Sequence, residues 1–119
     1  PSPEFFRDMT SFVATRAHET LHWTAAPRRL NRDLSRYHKD RTDRAREELL
    51  VELGAAMLCA DLEIVPELEP RPDHAAFIKG WASLLGSDKR AIFQAAAHAQ
   101  RAVNYLHDLQ PEAAQAEAA

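Results

Sequence analysis

The 119 residues carry 15 lysines and arginines against 18 aspartates and glutamates, a formal net charge of -3, and 45% of them are hydrophobic. That is the length and apolar content of one domain with one core, and the charge balance excludes both the strongly positive field of a general nucleic-acid binder and an acidic disordered chain. No run reaches the roughly 18 to 20 apolar residues of a membrane span, and the opening lacks the basic-then-apolar order of a signal peptide, so a cytoplasmic protein with no membrane partner is expected. The chain opens at Pro1 without an initiator methionine, the form of a processed product or of a piece of a longer protein.

With only three glycines, little strand-like alternation and abundant alanine and leucine, the composition is helical. The first helix is predicted from about Arg7 to His22, its apolar positions supplied by Phe5 or Phe6, Met9, Phe12, Val13, Ala17 and Leu21, with Pro27 beyond its end. The polar stretch "RRLNRDLSRYHKDRTD", Arg28 to Asp43, reads as a long loop. A second helix is predicted from about Asp43 to Leu62, followed by the extended, proline-interrupted "IVPELEPRP". The third should start after Asp73 as N-cap and stop near Leu85 at Gly86, and the fourth should follow Ser87 or Asp88 and run to about Leu109. After Gln110 the tail "PEAAQAEAA" has no large apolar anchor and is expected to be disordered, which leaves residues 1–109 as the single domain. The fold class expected is mainly α, a core of about four helices. Cys59 has no internal disulfide partner and lies in the apolar run "LGAAMLCADL", the setting of a buried, unreactive thiol.

The chemistry concentrates in "HETLHW". His18 and His22 are four residues apart on one helix face and can present imidazole nitrogens to a single zinc ion at about 2.0 to 2.1 Å. Glu19, beside the first of them, has the position of a general base towards a metal-activated water. Two histidines leave a catalytic zinc one protein ligand short. The third is sought in "RAREELLVELGAAMLCADL", where Glu52 sits among apolar neighbours and Glu48 lies one turn earlier on the same face. Two carboxylates stacked in this way repel unless a cation or a donor lies between them. Glu48 is assigned as the metal ligand and Glu52 as the acceptor that orients a ligand histidine, with the reverse assignment as the alternative. Glu47, near the helix start, is read as a solvated residue favoured by the helix dipole. The competing explanation for the acidic pair is a salt bridge to arginines such as Arg44 or Arg16, and it would be preferred if the histidine motif were absent.

Other residues are read more simply. Trp23 and Trp81, with Phe77, Ile78, Leu84, Ile92, Phe93 and Tyr105, recur at helical spacing and are expected in the core, not on a base-stacking platform. Arg28, Arg29, Arg32 and Arg36 are expected to order their loop through local salt bridges to Asp33 and Asp40 rather than to bind phosphate. Tyr37 and His38 lie on a loop that could reach the metal site as oxyanion donors. His74 is read as assisting a helix cap, and His98 and His107 as surface or boundary residues. A glycine-rich phosphate loop, a Cys-x-x-Cys pair and a nucleophile elbow are all lacking, which excludes the nucleotide-binding, zinc-finger and serine-hydrolase classes.

The segments "HETLHW", "RRLNRDLS", "AREELLVELGAAMLCADLEI", "DHAAFIKGWASLL" and "DKRAIFQAAAHAQRAVNYL", in this order and spacing, resemble the zincin-like metallopeptidase domain of ArdC-type antirestriction proteins, also found in polyvalent proteins of plasmids and phages. The resemblance covers about residues 1 to 109. It implies a gluzincin-like site with His18, His22 and Glu48 on zinc and Glu19 as catalytic base, acting on a protein or peptide substrate. Family members typically carry Glu-Leu-Ala between the histidines, where this chain has Glu19-Thr20-Leu21. In the family this helical region follows a small sheet and often a single-stranded-DNA-binding domain, through which DNA contact would be made. At most about 17 residues precede His18 here, so that sheet is expected to be largely absent. The alternative from a different class is a non-catalytic module of an antirestriction or conjugative protein that binds a protein or DNA partner without cleaving it.

Overall fold

The Asp8 side chain accepts a hydrogen bond from the Ser11 amide at 2.7 Å and so satisfies one of the donors that a helix start leaves open. That bond fixes the start of α1, Met9–Trp23, after a short 3-10 turn at Pro3–Phe5. The structure is a computed structural model and describes residues 2–5, 8–65 and 74–111, with the side chains of 74–77 excepted. Asp40 plays the same role for α2, Arg41–Asp61, accepting from the Thr42 and Asp43 amides, so α2 begins two residues before the expected Asp43. α3 spans His74–Ser87 and α4 spans Ala91–Asp108. Gly86 does not stop α3, because the helix runs through it to Ser87 and the turn is made by Asp88, whose carboxylate accepts from the Arg90 amide. The architecture is thus four helices with no strand among the described residues, the mainly α class expected from composition. The expected cap Asp73, the side chain of His74 and the tail from residue 112 onward lie outside the described residues.

α2 is the central helix and packs against α1, α3 and α4. Its close approach to α4 follows from the small residues that α4 presents one turn apart: Ala91, Ala95, Ala99 and Ala102 are all buried, and Val103 and Leu106 extend the same stripe. Leu21, Leu49, Leu50, Val51 and Leu84 complete this core. At the other end of α2, Cys59 is buried against Ala17 and Ala55, and burial pushes its thiol pKa up, in keeping with an inert structural cysteine.

The aromatic residues divide by helix face. Trp81 and Ile92 pack on the core as expected. Trp23, by contrast, is 46% exposed and is covered by the Arg29 guanidinium, 3.5 Å above its ring, while Ile78 and Phe93 are also exposed. Helical spacing puts residues on a common face without saying which face meets a neighbour, and α2 already fills the core-facing sides of α1 and α4.

Residues 24–40 form an ordered loop. Successive turns close through Ala25 to His22, Leu30 to Thr24, Arg32 to Ala25, Tyr37 to Leu34 and Asp40 to Arg36, with Asn31 in the left-handed region at φ 50°. Asparagine tolerates that conformation better than most residues, because its side chain bonds locally.

Candidate metal centre

α1 carries His18 and His22 one turn apart, and their rings meet edge to face with centroids 4.9 Å apart. α2 lies alongside and projects Glu47, Glu48 and Glu52 at them. The arrangement is doubled. His18 Nε2 lies 3.4 Å from Glu48 Oε2 and its Nδ1 lies 2.9 Å from Glu52 Oε1. His22 Nε2 lies 3.3 Å from Glu48 Oε1 and its Nδ1 lies 3.2 Å from Glu47 Oε1. Each imidazole therefore turns Nε2 towards one shared carboxylate and Nδ1 towards a carboxylate of its own.

Glu48 is only 3% exposed, and its Oε2 has no hydrogen-bond partner among the described residues. A buried carboxylate oxygen left without a donor is costly unless a cation meets it. Ligand atoms of His18, His22 and Glu48 all lie within 4.8 Å of one another. Two donors about 2.0 to 2.1 Å from a tetrahedral ion stand roughly 3.3 to 3.4 Å apart, close to the 3.4 and 3.3 Å separations between these imidazoles and Glu48. Two imidazoles with one carboxylate is also a donor set that suits first-row divalent metals. On geometry and on chemistry, the residues fit a metal ion.

Without metal, protons take its place in the charge balance. Burial opposes a charge on His18 and His22, but the carboxylates accepting from them prevail and raise both to about 9. Burial also disfavours the Glu48 anion, yet the two imidazoles and the Tyr37 hydroxyl hold its carboxyl well below the usual range. The Tyr37 hydroxyl donates to Glu48 Oε1, and its ring stands edge-on to His22 with centroids 6.1 Å apart. Burial and the neighbouring Glu48 push the Tyr37 phenol up to about 12, so it remains a donor at neutral pH. His38 is exposed and packs edge-on against the outer side of Tyr37, centroids 4.9 Å apart. Glu19 is exposed on α1. It lines a cleft between α1 and the end of α4 with Phe12, Arg16, Trp23 and Leu106.

Glu47 corrects the sequence reading. It is 5% exposed and buried, not solvated. Arg32 grips it through Nε to Oε2 at 3.0 Å and Nη2 to Oε1 at 2.7 Å. Arg32 was expected to pair within its own loop, and only Arg36 does so, with Asp40 and Asp43. Of the arginines proposed as alternative partners of the acidic pair, Arg16 lies over the Phe12 ring and Arg44 over the Tyr37 ring. A local signal for Glu47 was present in the sequence: a second carboxylate beside Glu48, in a helix with a nearly continuous apolar run after it.

Residues 1–98 match the family described as zincin-like metallopeptidase. The chain is 45% identical over 113 residues to the uncharacterized protein y4eC of Sinorhizobium fredii, covering 93% of this chain and 36% of that protein. It is 33% identical over 106 residues to the DNA primase TraC of Escherichia coli, covering 89% of this chain and 10% of the primase. The chain thus spans about a third or less of the curated relatives it matches. Among solved structures it is similar to the Mn(II)-bound crystal structure of the antirestriction protein ArdC from plasmid R388, with a TM-score of 0.65 and 37% identity over 87% of this chain and 35% of that one. Together with the helical fold and the His-Glu cluster, these matches bear out the resemblance read from the motifs: the chain belongs to the zincin-like metallopeptidase family.

Proposed function

We propose that this chain is the metal-bearing, peptide-hydrolysing domain of an antirestriction or mobile-element protein, working in the cytoplasm on a protein or peptide substrate. The observation that carries the reading is the convergence of His18 Nε2 and His22 Nε2 on the buried carboxylate of Glu48. These three hold the metal, zinc by the chemistry of the donor set, and Glu52 orients His18 by accepting from its Nδ1. A zinc ion held by these residues would supply Lewis acidity towards a peptide carbonyl and a water. Glu19 follows His18 on α1 and takes the proton from the attacking water, then passes it to the leaving amine. Tyr37 is the donor to the developing oxyanion, since its hydroxyl stays protonated and already reaches the carboxylate at the centre of the site. His38 buttresses the Tyr37 ring. Beside Glu48, a cavity of about 550 Å³ bordered by Arg44, Lys79 and Trp81 gives room for a substrate segment.

A second reading, a metal-stabilised module that binds a protein or DNA partner without cleaving it, is favoured by one observation: Glu19 stands exposed on the cleft side of α1, away from the buried carboxylates. The experiment that separates the two combines elemental analysis with proteolysis. About one zinc per chain, lost in Glu48→Ala, with peptide cleavage abolished in a zinc-retaining Glu19→Gln, supports the enzyme. Zinc without cleavage of any peptide in a random library supports the metal-stabilised module, and no zinc after reloading overturns the enzyme in favour of a metal-free module.

A further inference from the structure

The two histidines are supported unequally. Glu52, the acceptor for His18, is 35% exposed, whereas Glu47, the acceptor for His22, is 5% exposed and held from behind. What holds it is Arg32, its side chain 11% exposed. Besides the two bonds to Glu47, its Nη1 donates to Thr24 Oγ1 at 2.8 Å and its Nη2 to the Leu21 carbonyl at 2.9 Å. Thr24 is itself fully buried and donates its hydroxyl to the same Leu21 carbonyl at 2.6 Å. One guanidinium thus binds the last turn of α1, which carries His22, to the second turn of α2, which carries Glu47 and Glu48. The planar fork matters, because four bonds in three directions are beyond an ammonium group on a flexible stem.

Resting on the metal-site reading above, we infer that Arg32 is a positioning residue for the metal centre. By fixing the Glu47 carboxylate it holds His22 with Nδ1 protonated and Nε2 free to face the metal. An imidazole has one proton to place when neutral, and whichever nitrogen meets a fixed acceptor keeps it. Glu47 Oε1 is such an acceptor, at 3.2 Å from His22 Nδ1. Its other oxygen is occupied by Arg32 Nε, so the carboxylate cannot rotate towards the metal or compete with Glu48 for it. The clamp therefore selects the tautomer and also separates the roles of two adjacent glutamates.

The test uses the full chain and reads metal affinity and tautomer in place of turnover. Zinc dissociation constants are measured by chelator competition for wild type, Arg32→Lys, Glu47→Gln and the double variant Arg32→Met/Glu47→Gln, which removes the clamp while leaving neither charge unpaired. His22 protonation is read in the zinc-loaded proteins from long-range 1H–15N spectra of the imidazoles. Asp61→Asn, which breaks the exposed Asp61–His107 pair, serves as a distant control. Expected are a His22 Nδ1–H signal in wild type and a roughly 10- to 100-fold loss of zinc affinity in Arg32→Lys and in the double variant, the usual range for groups behind a metal ligand. Glu47→Gln, whose amide oxygen can still accept from Nδ1, should lose less than the double variant. Folded Arg32→Lys and double variants that bind zinc as wild type does, with the His22 signal unchanged, would overturn the inference while the metal site itself stood. A merely structural Arg32 would lower the melting temperature alone. Wild type that binds no zinc would overturn the inference together with the reading it rests on.

Discussion

Leu21 lies so close to Gly54 that a Cβ built on the glycine would stand 2.6 Å from Leu21 Cδ1 and 3.0 Å from its Cγ. Leu21 is fully buried, and its carbonyl is tied to Arg32 and Thr24, so it has little room to yield. Helix propensity favours alanine over glycine by about 1 kcal/mol, but overpacking a core costs about 1–3 kcal/mol. Gly54→Ala is therefore expected to be destabilising by up to about 2 kcal/mol in chemical denaturation. It should also weaken zinc binding, because Leu21 precedes His22 and any shift of α1 on α2 moves both histidines against Glu48. A variant as stable as wild type, with the same zinc affinity, would refute the close-packing account.

Removing the shared carboxylate should weaken both the metal-loaded and the metal-free protein. With zinc offered, Glu48→Gln loses an anionic ligand and should bind far more weakly. Without zinc and at pH 6, it leaves two half-buried imidazoles without their common anion and should lose up to about 3 kcal/mol of stability. At pH 10 the metal-free variant and wild type should differ little, since the histidines are then neutral in both. Melting curves at the two pH values check this directly.

The metal-free protein should lose stability as pH rises. His18 and His22 are raised from 6.5 to about 9 in the folded state. A raised cationic pKa contributes stability that is fully present below the unfolded value, 6.5, and is lost as pH rises through about 9. Glu48 works in the opposite sense: its depressed pKa contributes stability present above its ordinary value, 4.5, and lost only in stronger acid. The melting temperature of the chelated protein should fall between pH 6.5 and 9, and a flat profile there would show that the two imidazoles are not proton-loaded.

A metal ion that binds His18 and His22 has to displace those protons, and zinc is the ion to test. Its binding at pH 7 should release protons, seen as heats that scale with buffer ionisation enthalpy, and its affinity should climb as pH is raised towards about 9. Zinc-loaded protein should accordingly escape the destabilisation that the metal-free form suffers over the same range, because binding to the folded state alone stabilises it. Calorimetry in two buffers gives the proton count, and none released would contradict the proton-loaded site.

Glu19→Gln should leave zinc content and melting temperature near wild type, since Glu19 is exposed and lies outside the buried cluster. Peptide cleavage should fall by about 100-fold or more, the scale of a lost general base. Loss of zinc in this variant would mean that Glu19 belongs among the ligands and not beside them.

Helical periodicity is a property of the backbone alone, and it is what made the centre of this protein readable. Residues four apart share a face in any helix, so His18 with His22, and Glu48 with Glu52, were paired before any packing was considered. The apolar stripes likewise marked four helices, and composition marked Cys59 as buried. Capping shifted the helix ends, since Asp40 satisfies the first amides of α2 through a side chain. Burial of a charged residue, however, is decided by what lies opposite it in space. Glu47 looked like a residue of a solvated first turn and became the back wall of the site, because a chain reversal at residues 24–32 delivers Arg32 to it from 15 positions away. Trp23 went the other way, onto the surface beneath Arg29, because α2 occupies the opposite side of α1. Spacing along a helix fixes which side chains point together; only the docking of helix and loop determines which of those directions is desolvated, and with it which carboxylates need a partner.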